Sequence, residues 1–402
     1  MRRDVVLGLG GTVDYEVAWE PAVMQELVSH YAIRPAEVST AVVVGSERDL
    51  VCSVLGFVRD GVGGERFVAS CDIVEAFAAR FARRLTLGGT CVRAASVLSS
   101  LGIPSIVHLV SIDDHVRRLL PAGVSYLCSA RHDSTDPHLI VQFPAGARIR
   151  VGDVELCAAR ANRLIYVNDV PNRELVLSPD LGRVLTTAGV FLVSGFNSMQ
   201  DPAALKARLH DLREHMKHLP AGAVVVYEDG GFHVPALSGQ IRERLLDLVD
   251  VYGLNEDEMQ AYLGRPLDLL DPAVIAGALR ELHTRIPVGT LVVHTAFWSL
   301  AFGAGARADA QVHRPALESG TRTAGARYLH GDEVTEADRR ALASNPRRPD
   351  GEAFARAIEA LLPGEVCCVP SFALSSPAPT TVGLGDCFVG GFIAALAEEF
   401  LE

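Results

Sequence analysis

The chain has 402 residues, 49% of them hydrophobic and 21% charged, enough apolar content for one large core and a smaller second one, which excludes a disordered polymer. A formal charge of −12 without basic blocks argues against nucleic acid or an anionic membrane as the main partner. No apolar run reaches the roughly 18–20 residues of a membrane span, and the start, MRRDVVLGLGGTVDYE, has too short an apolar region for a signal peptide, so a cytoplasmic protein is expected.

In chain order, DVVLGLGG (4–11) predicts a buried strand ending in glycines. The overlapping GLGGTVD invites a dinucleotide reading, but G-x-G-x-x-G needs glycine where Val13 stands. Residues 15–85 mix helical segments with the glycine-rich loop DGVGGERF (60–67). GTCVRAASVLSSLG (89–102) predicts a helix and SIVHLVSI (105–112) a strand, whereas HLIVQFP, ARIRVGDVEL and RLIYVND, within 125–178, alternate as antiparallel strands do. Four further buried strands follow, VFLVSGF (190–196), AVVVYED (223–229), VDVYGLN (249–255) and TLVVHTA (290–296), separated by helical segments at 201–219, 238–249 and 272–286. Segment 303–350, rich in Ala, Arg, Gly and Asp, reads as a long surface excursion.

Continuous β-branched strands alternating with amphipathic helices imply a mostly parallel sheet covered on both faces, with ligands at the carboxyl ends of its strands. The two irregular stretches form one insertion domain. The expected division is a large α/β domain from 1–14, 86–124 and 179–402, and a small lid from 15–85 and 125–178. The eight cysteines show no metal-ligand spacing, and most are expected as small core residues. Lys206 and Lys217 are the only lysines and no GxxxxGK[ST] occurs, so any phosphate chemistry falls to backbone amides, arginines and a metal.

TVGLGDCFVGGFIAAL (381–396) places Gly383, Leu384, Gly385 and Asp386 before an apolar helical stripe. Amides at a helix start favour an anion, and an aspartate on the same turn suits a general base; an ordinary N-cap is the alternative. GLNEDEM (253–259) follows a predicted strand, with Asn255 and Glu258 one helical turn apart, which suits either a hydrated Mg²⁺ or a capping box. VVVYEDGG ends another strand in Glu228 and Asp229, acids that are costly unless solvated, paired or near a metal.

Together these stretches resemble the ADP-dependent glucokinase and phosphofructokinase family of the ribokinase-like superfamily. TVGLGD matches its GxGD motif and GLNEDE its NxxE motif, with SGFNSMQD, HLIVQFPAG, ANRLIYVND and LVVHT similar and in order. The resemblance implies a ribokinase-like three-layer α/β/α core with a smaller α/β lid. It implies a magnesium-dependent glycolytic kinase using ADP as donor and a sugar as acceptor, monomeric or a weak homo-oligomer. Asp386 would be the base, with Gly383, Leu384 and Gly385 as the anion hole. Glu228, Asn255 and Glu258 would hold Mg²⁺, and Asp14, Glu65, Gly88, Gly89, Thr90 and His138 the sugar. Glu65 and the shortage of lysine favour an unphosphorylated, glucokinase-like acceptor. Against the pattern, Val226 replaces the histidine of HxE, Thr90 an asparagine or glutamine, and Gln142 a glutamate; no arginine is evident before GxGD. An ATP-dependent ribokinase-like kinase of a nucleoside or specialised sugar, and a catalytically silent binder of sugar or nucleotide, are the alternatives.

Overall fold

The computed structural model describes residues 3–303, 310–376, 380 and 382–401. Thr381, the first residue of TVGLGD, and residues 304–309 of the expected excursion lie outside them. The strands are β1 (Asp4–Leu7), β2 (Thr12–Ala18), β3 (Gly64–Phe67), β4 (Arg83–Gly88), β5 (Ser105–Leu109), β6 (Val124–Cys128), β7 (His138–Phe143) and β8 (Arg148–Val151). There follow β9 (Val154–Cys157), β10 (Asn162–Val167), β11 (Ala188–Val193), β12 (Val224–Glu228), β13 (Val251–Asn255), β14 (Thr290–His294), β15 (Trp298–Phe302) and β16 (Val366–Pro370).

Nine of them form one sheet in the order β16-β15-β14-β13-β12-β11-β1-β5-β6, parallel from β14 to β6, with β15 antiparallel to both its neighbours. Ala188–Val193 is buried at every residue, as a strand covered on both faces must be. The second sheet, β3-β10-β7-β2-β4, is half polar. Along β2, Val13, Tyr15 and Val17 enter the apolar core that holds Leu50, Val54 and Phe57 of the Glu47–Asp60 helix. Period-2 alternation therefore puts Asp14 and Glu16 on the opposite face. The register sets Thr86 and His138 beside Asp14, and Gly88 beside Thr12. β6 pairs with β5, so the strands that the second stretch gives to the small sheet begin at His138.

The surface excursion is a correction. Arg314–His330 is a 17-residue helix with Leu317, Thr321, Thr323 and Ala326 buried. Its alanines, glycines and threonines make a poor amphipathic signal but a close helix contact. A Cβ on Gly391 of the Leu384–Leu401 helix would stand 2.4 Å from Thr323 Oγ1 and 2.7 Å from the Ser319 carbonyl. On the other side of the same helix, a Cβ on Gly390 would stand 2.8 Å from Val97 Cβ of the Thr90–Ser100 helix. The C-terminal helix is thus clamped between two others. No helix among the described residues is long and apolar enough to cross a membrane.

Candidate active site

Gly383 adopts φ +70°, a conformation costly for any residue with a Cβ, and the Leu384–Leu401 helix begins directly after it. Asp386 sits in the first turn and is held from two directions. Thr90 Oγ1, at the start of the Thr90–Ser100 helix, donates to its Oδ1 at 2.8 Å, and Arg93 Nε, one turn further on, lies 3.6 Å from its Oδ2. The same guanidinium donates from Nη2 to Asp14 Oδ2 at 3.1 Å, and both of those side chains are 6% exposed. Asp14 also accepts from Thr12 Oγ1 at 2.7 Å. A methyl group on Gly88 would stand 2.4 Å from Asp14 Oδ2, so glycine there leaves room for the carboxylate. Arg93 packs on the glycine turn itself, since a Cβ on Gly383 would lie 2.8 Å from its Cδ.

The residues expected to contact a sugar spread along the polar face of the small sheet. His138 Nε2 meets Asp169 Oδ2 at 3.0 Å. Burial opposes a proton on that imidazole, and Asp169 more than offsets it, raising the proton affinity of His138. Asp169 accepts from Asn172 Nδ2 at 2.7 Å, and Asn172 Nδ2 donates to the Gly11 carbonyl at 3.0 Å, fixing the strand ends from which the floor is built. Glu65 stands on β3 with His233 Nε2 at 3.4 Å, a contact from the loop after β12. Gln142 donates to Glu16 at 3.4 Å rather than standing alone. Gly89, at φ +87°, precedes the helix that begins at Thr90.

The acids expected to hold a metal sit close together, Glu228 at the end of β12 and Glu258 in the helix turn that follows β13. Asn255 caps the Glu256–Leu263 helix, its Oδ1 accepting from the Asp257 and Glu258 amides at 2.8 and 3.1 Å. Its Nδ2 donates to Glu258 Oε1 at 2.9 Å, and its amide to Glu258 Oε2 at 2.7 Å. The capping box and the fixing of Glu258 are therefore one arrangement. Burial pushes the Glu258 carboxyl up to about 7, with the nearby Glu228 adding to the rise. Glu228 is likewise raised by burial, against the pull of His294, whose Nε2 lies 2.9 Å from its Oε1. That contact reaches from β12 to β14 across β13. It exists because residue 253 is glycine, where a Cβ would fall 2.0 Å from Glu228 Oε2. The imidazole partner of this carboxylate thus comes from β14, while Val226 stays in the apolar core. Asp229 is satisfied structurally by the Tyr252 hydroxyl at 2.7 Å and by the Tyr262 hydroxyl.

Among the described residues no cluster of three His, Cys, Asp or Glu side chains is arranged to hold a metal alone. Two carboxylates of raised proton affinity, Glu228 buried and Glu258 half-buried, do fit a hydrated divalent cation completed by phosphate oxygens, which would relieve their charge. Beside them opens a cleft of about 590 Å³, lined by Leu384 and Gly385 of the glycine turn, Asn255, His294, Arg163 and Arg348. Burial weighs against the charge of Arg163, on β10 of the small sheet, and the field of Asp386 offsets part of that effect. The geometry therefore brings Asp386, Gly383, Leu384, Gly385, Thr90, Asp14, Gly88 and Gly89 together. It puts Glu228 and Asn255 on neighbouring strand ends with Glu258 in the first turn of the helix that Asn255 caps, and His138 and Glu65 further along the floor.

Arg93, Arg163, His294 and Asp169 escaped the reading of the sequence. Arg93 carried a signal, a cation at a position flanked by Cys91, Val92, Ala94 and Ala95, all buried. The model of a family described as the ADP-specific phosphofructokinase/glucokinase conserved region matches residues 3–393. A hypothetical ADP-dependent phosphofructokinase from Pyrococcus horikoshii OT3 superposes with a TM-score of 0.80 at 18% identity, covering 99% of this chain and 98% of that one. A phosphofructokinase from the same organism, solved with AMP, gives 0.79 at 18% identity over 99% and 98%. An ADP-dependent kinase in complex with fructose-6-phosphate and ADPβS gives 0.72 at 16% over 99% and 94%. No curated protein matches the chain. With the fold shared end to end and the family model spanning nearly all of the sequence, the chain belongs to the ADP-dependent phosphofructokinase/glucokinase family of carbohydrate kinases.

Proposed function

We propose that the protein transfers the terminal phosphoryl group of ADP to a hydroxyl of a sugar or sugar-like acceptor that carries no phosphate. The observation that carries this reading is the convergence of Asp386, Thr90, Arg93 and Asp14 at the start of the last helix, between the nucleotide cleft and the polar floor. The acceptor oxygen forms the new bond to phosphorus while its proton passes to Asp386; the bond to the bridging oxygen breaks, and AMP leaves. Amides of the Gly383–Gly385 turn and the guanidinium of Arg163 offset charge on the transferring oxygens. Thr90 holds the base in position through its 2.8 Å hydrogen bond. Mg²⁺, when bound near Glu228 and Glu258, supplies further positive charge to the phosphates. The small sheet acts as a lid that keeps water from competing as acceptor.

An unphosphorylated acceptor is supported by Asp14 and Glu65 on the floor, by His138 held by Asp169, and by Arg93 already engaged with Asp14. Carboxylates accept from hydroxyls and repel a phosphate. The neighbour with fructose-6-phosphate makes a phosphorylated sugar the competing acceptor. A panel of free sugars and sugar phosphates, incubated with ADP, ATP and Mg²⁺ and read by mass spectrometry, tests the proposal. ADP-dependent product from a free sugar is expected. Product from sugar phosphates only would overturn the acceptor class, and turnover with ATP alone would overturn the donor.

A further inference from the structure

We infer that the molecule has a second anion site, beside the acceptor floor, for a small phosphate-bearing molecule with hydroxyl groups. It is a cavity of about 510 Å³ between the edge strand β4 and the helices Thr90–Ser100, Arg314–His330 and Leu384–Leu401. Cavities of this size hold metabolite-sized ligands. It shares no residue with the nucleotide cleft, and none of Asp14, Thr90, His138 or Asp386 lines it.

Three guanidinium groups line this cavity, those of Arg84, Arg93 and Arg327, with Asp332 the one carboxylate among its lining residues. Asp332 meets Arg84 Nη2 at 2.8 Å, Arg93 Nη1 at 3.8 Å, and Arg327 Nη1. The other partners of these arginines are Glu16 for Arg84, Asp14 and Asp386 for Arg93, and the Val382 carbonyl for Arg327. That leaves Nε and Nη1 of Arg84 and Nη2 of Arg327 without a hydrogen bond among the described residues, and Arg93 Nη1 with only the long contact to Asp332. Arg84 is the most open of the three, with its side chain 55% exposed. The planar fork of arginine suits the oxygens of a phosphate, and these three groups keep donors around one cavity beyond those that Glu16, Asp14, Asp386 and Asp332 take up. Thr86, Ser96 and Thr323 add hydroxyls to the wall, suited to the polar arm of the ligand.

Calorimetric titration of inorganic phosphate into the protein saturated with Mg²⁺ and ADP tests the site, because the nucleotide then occupies the cleft and the anion hole. The readout is binding, so it stands or falls independently of whether an acceptor is found. Saturable binding is expected, weakened at least tenfold by Arg84→Gln, whose side chain is 55% exposed, and by Ser100→Trp at the exposed rim. Arsenate soaked into crystals of the ADP complex should give anomalous density at Arg84 and Arg327. Absence of saturable binding, binding that both variants leave unchanged, displacement by the accepted sugar, or arsenate density only at the Gly383–Gly385 turn would each overturn the inference.

Discussion

Asp386, the proposed base, faces the buried guanidinium of Arg93 at 3.6 Å, and the two side chains should fail in different ways when removed. Asp386→Ala is expected to lower kcat by roughly a hundred- to ten-thousandfold, the range for loss of a general base. The KM for ADP should stay within about threefold, because the cleft proposed for the nucleotide is lined by other side chains. Steady-state kinetics decide it, and unchanged turnover removes the assignment. Arg93→Ala should act on stability instead: a buried guanidinium that faces Asp14, Asp386 and Asp332 leaves uncompensated charge when removed, a loss of about 3–5 kcal/mol in urea unfolding. Glu258 supplies the pH dependence. A carboxyl raised to about 7 by burial binds its proton more tightly folded than unfolded, so its contribution is favourable below the unfolded value and is lost as pH rises through 7. The protein without metal should lose on the order of 2 kcal/mol between pH 5 and 8 from this group. The rise in Tm given by Mg²⁺ with ADP should be larger at pH 8 than at pH 6, and Glu258→Gln should flatten the difference.

At the scale of elements, two glycines let structures approach that side chains would hold apart. Gly253, in the middle of β13, lets Glu228 reach His294 two strands away. Gly391 lets the C-terminal helix lie against Ser319 and Thr323. Gly391→Val is expected to cost about 2–3 kcal/mol by overpacking, since the backbone oxygen it meets cannot rotate away. Denaturant unfolding measures that, and an unchanged midpoint would sink the packing account. The same two helices explain why 303–350 did not read as ordered: a helix whose buried residues include Gly320, Thr321, Thr323 and Ala326 lacks the apolar stripe that marks amphipathic helices. The strands at 105–112, 190–196, 223–229, 249–255 and 290–296 were legible because continuous β-branched runs belong to sheets buried on both faces. The antiparallel edge is less local: Trp298–Phe302 and Val366–Pro370 pair across more than sixty intervening positions (366 − 302 = 64), so neither run announces its neighbour.

For the molecule as a whole, polar links at the edges of the small sheet are expected to govern closure. Arg84 on β4 joins Glu16 to Asp332, and Glu65 and Phe67 on β3 face His233, the ring pair 4.8 Å apart. His233→Ala should loosen one edge of the small sheet, the proposed lid, raising the acceptor KM several-fold and increasing ADP hydrolysis relative to transfer. A coupled assay for AMP set against phosphorylated product measures the ratio. An unaltered ratio would mean that this edge plays no part in closure.

The primary structure by itself determined the parallel core, the strand-end acid Glu228, the capped helix start that carries Glu258, and the glycine turn before Asp386, because each is written locally as a run, a cap or a turn. Only the tertiary structure decided what faces Asp386. Arg93 lies 293 positions earlier (386 − 93) and Asp14 a further 79 (93 − 14), and their side chains meet at contacts of 3.6 and 3.1 Å that no local pattern encodes. The pairing of Glu228 with His294 across a glycine strand has the same origin. Buried charges must find partners wherever the fold places them, and the identity of those partners is a property of the packed chain.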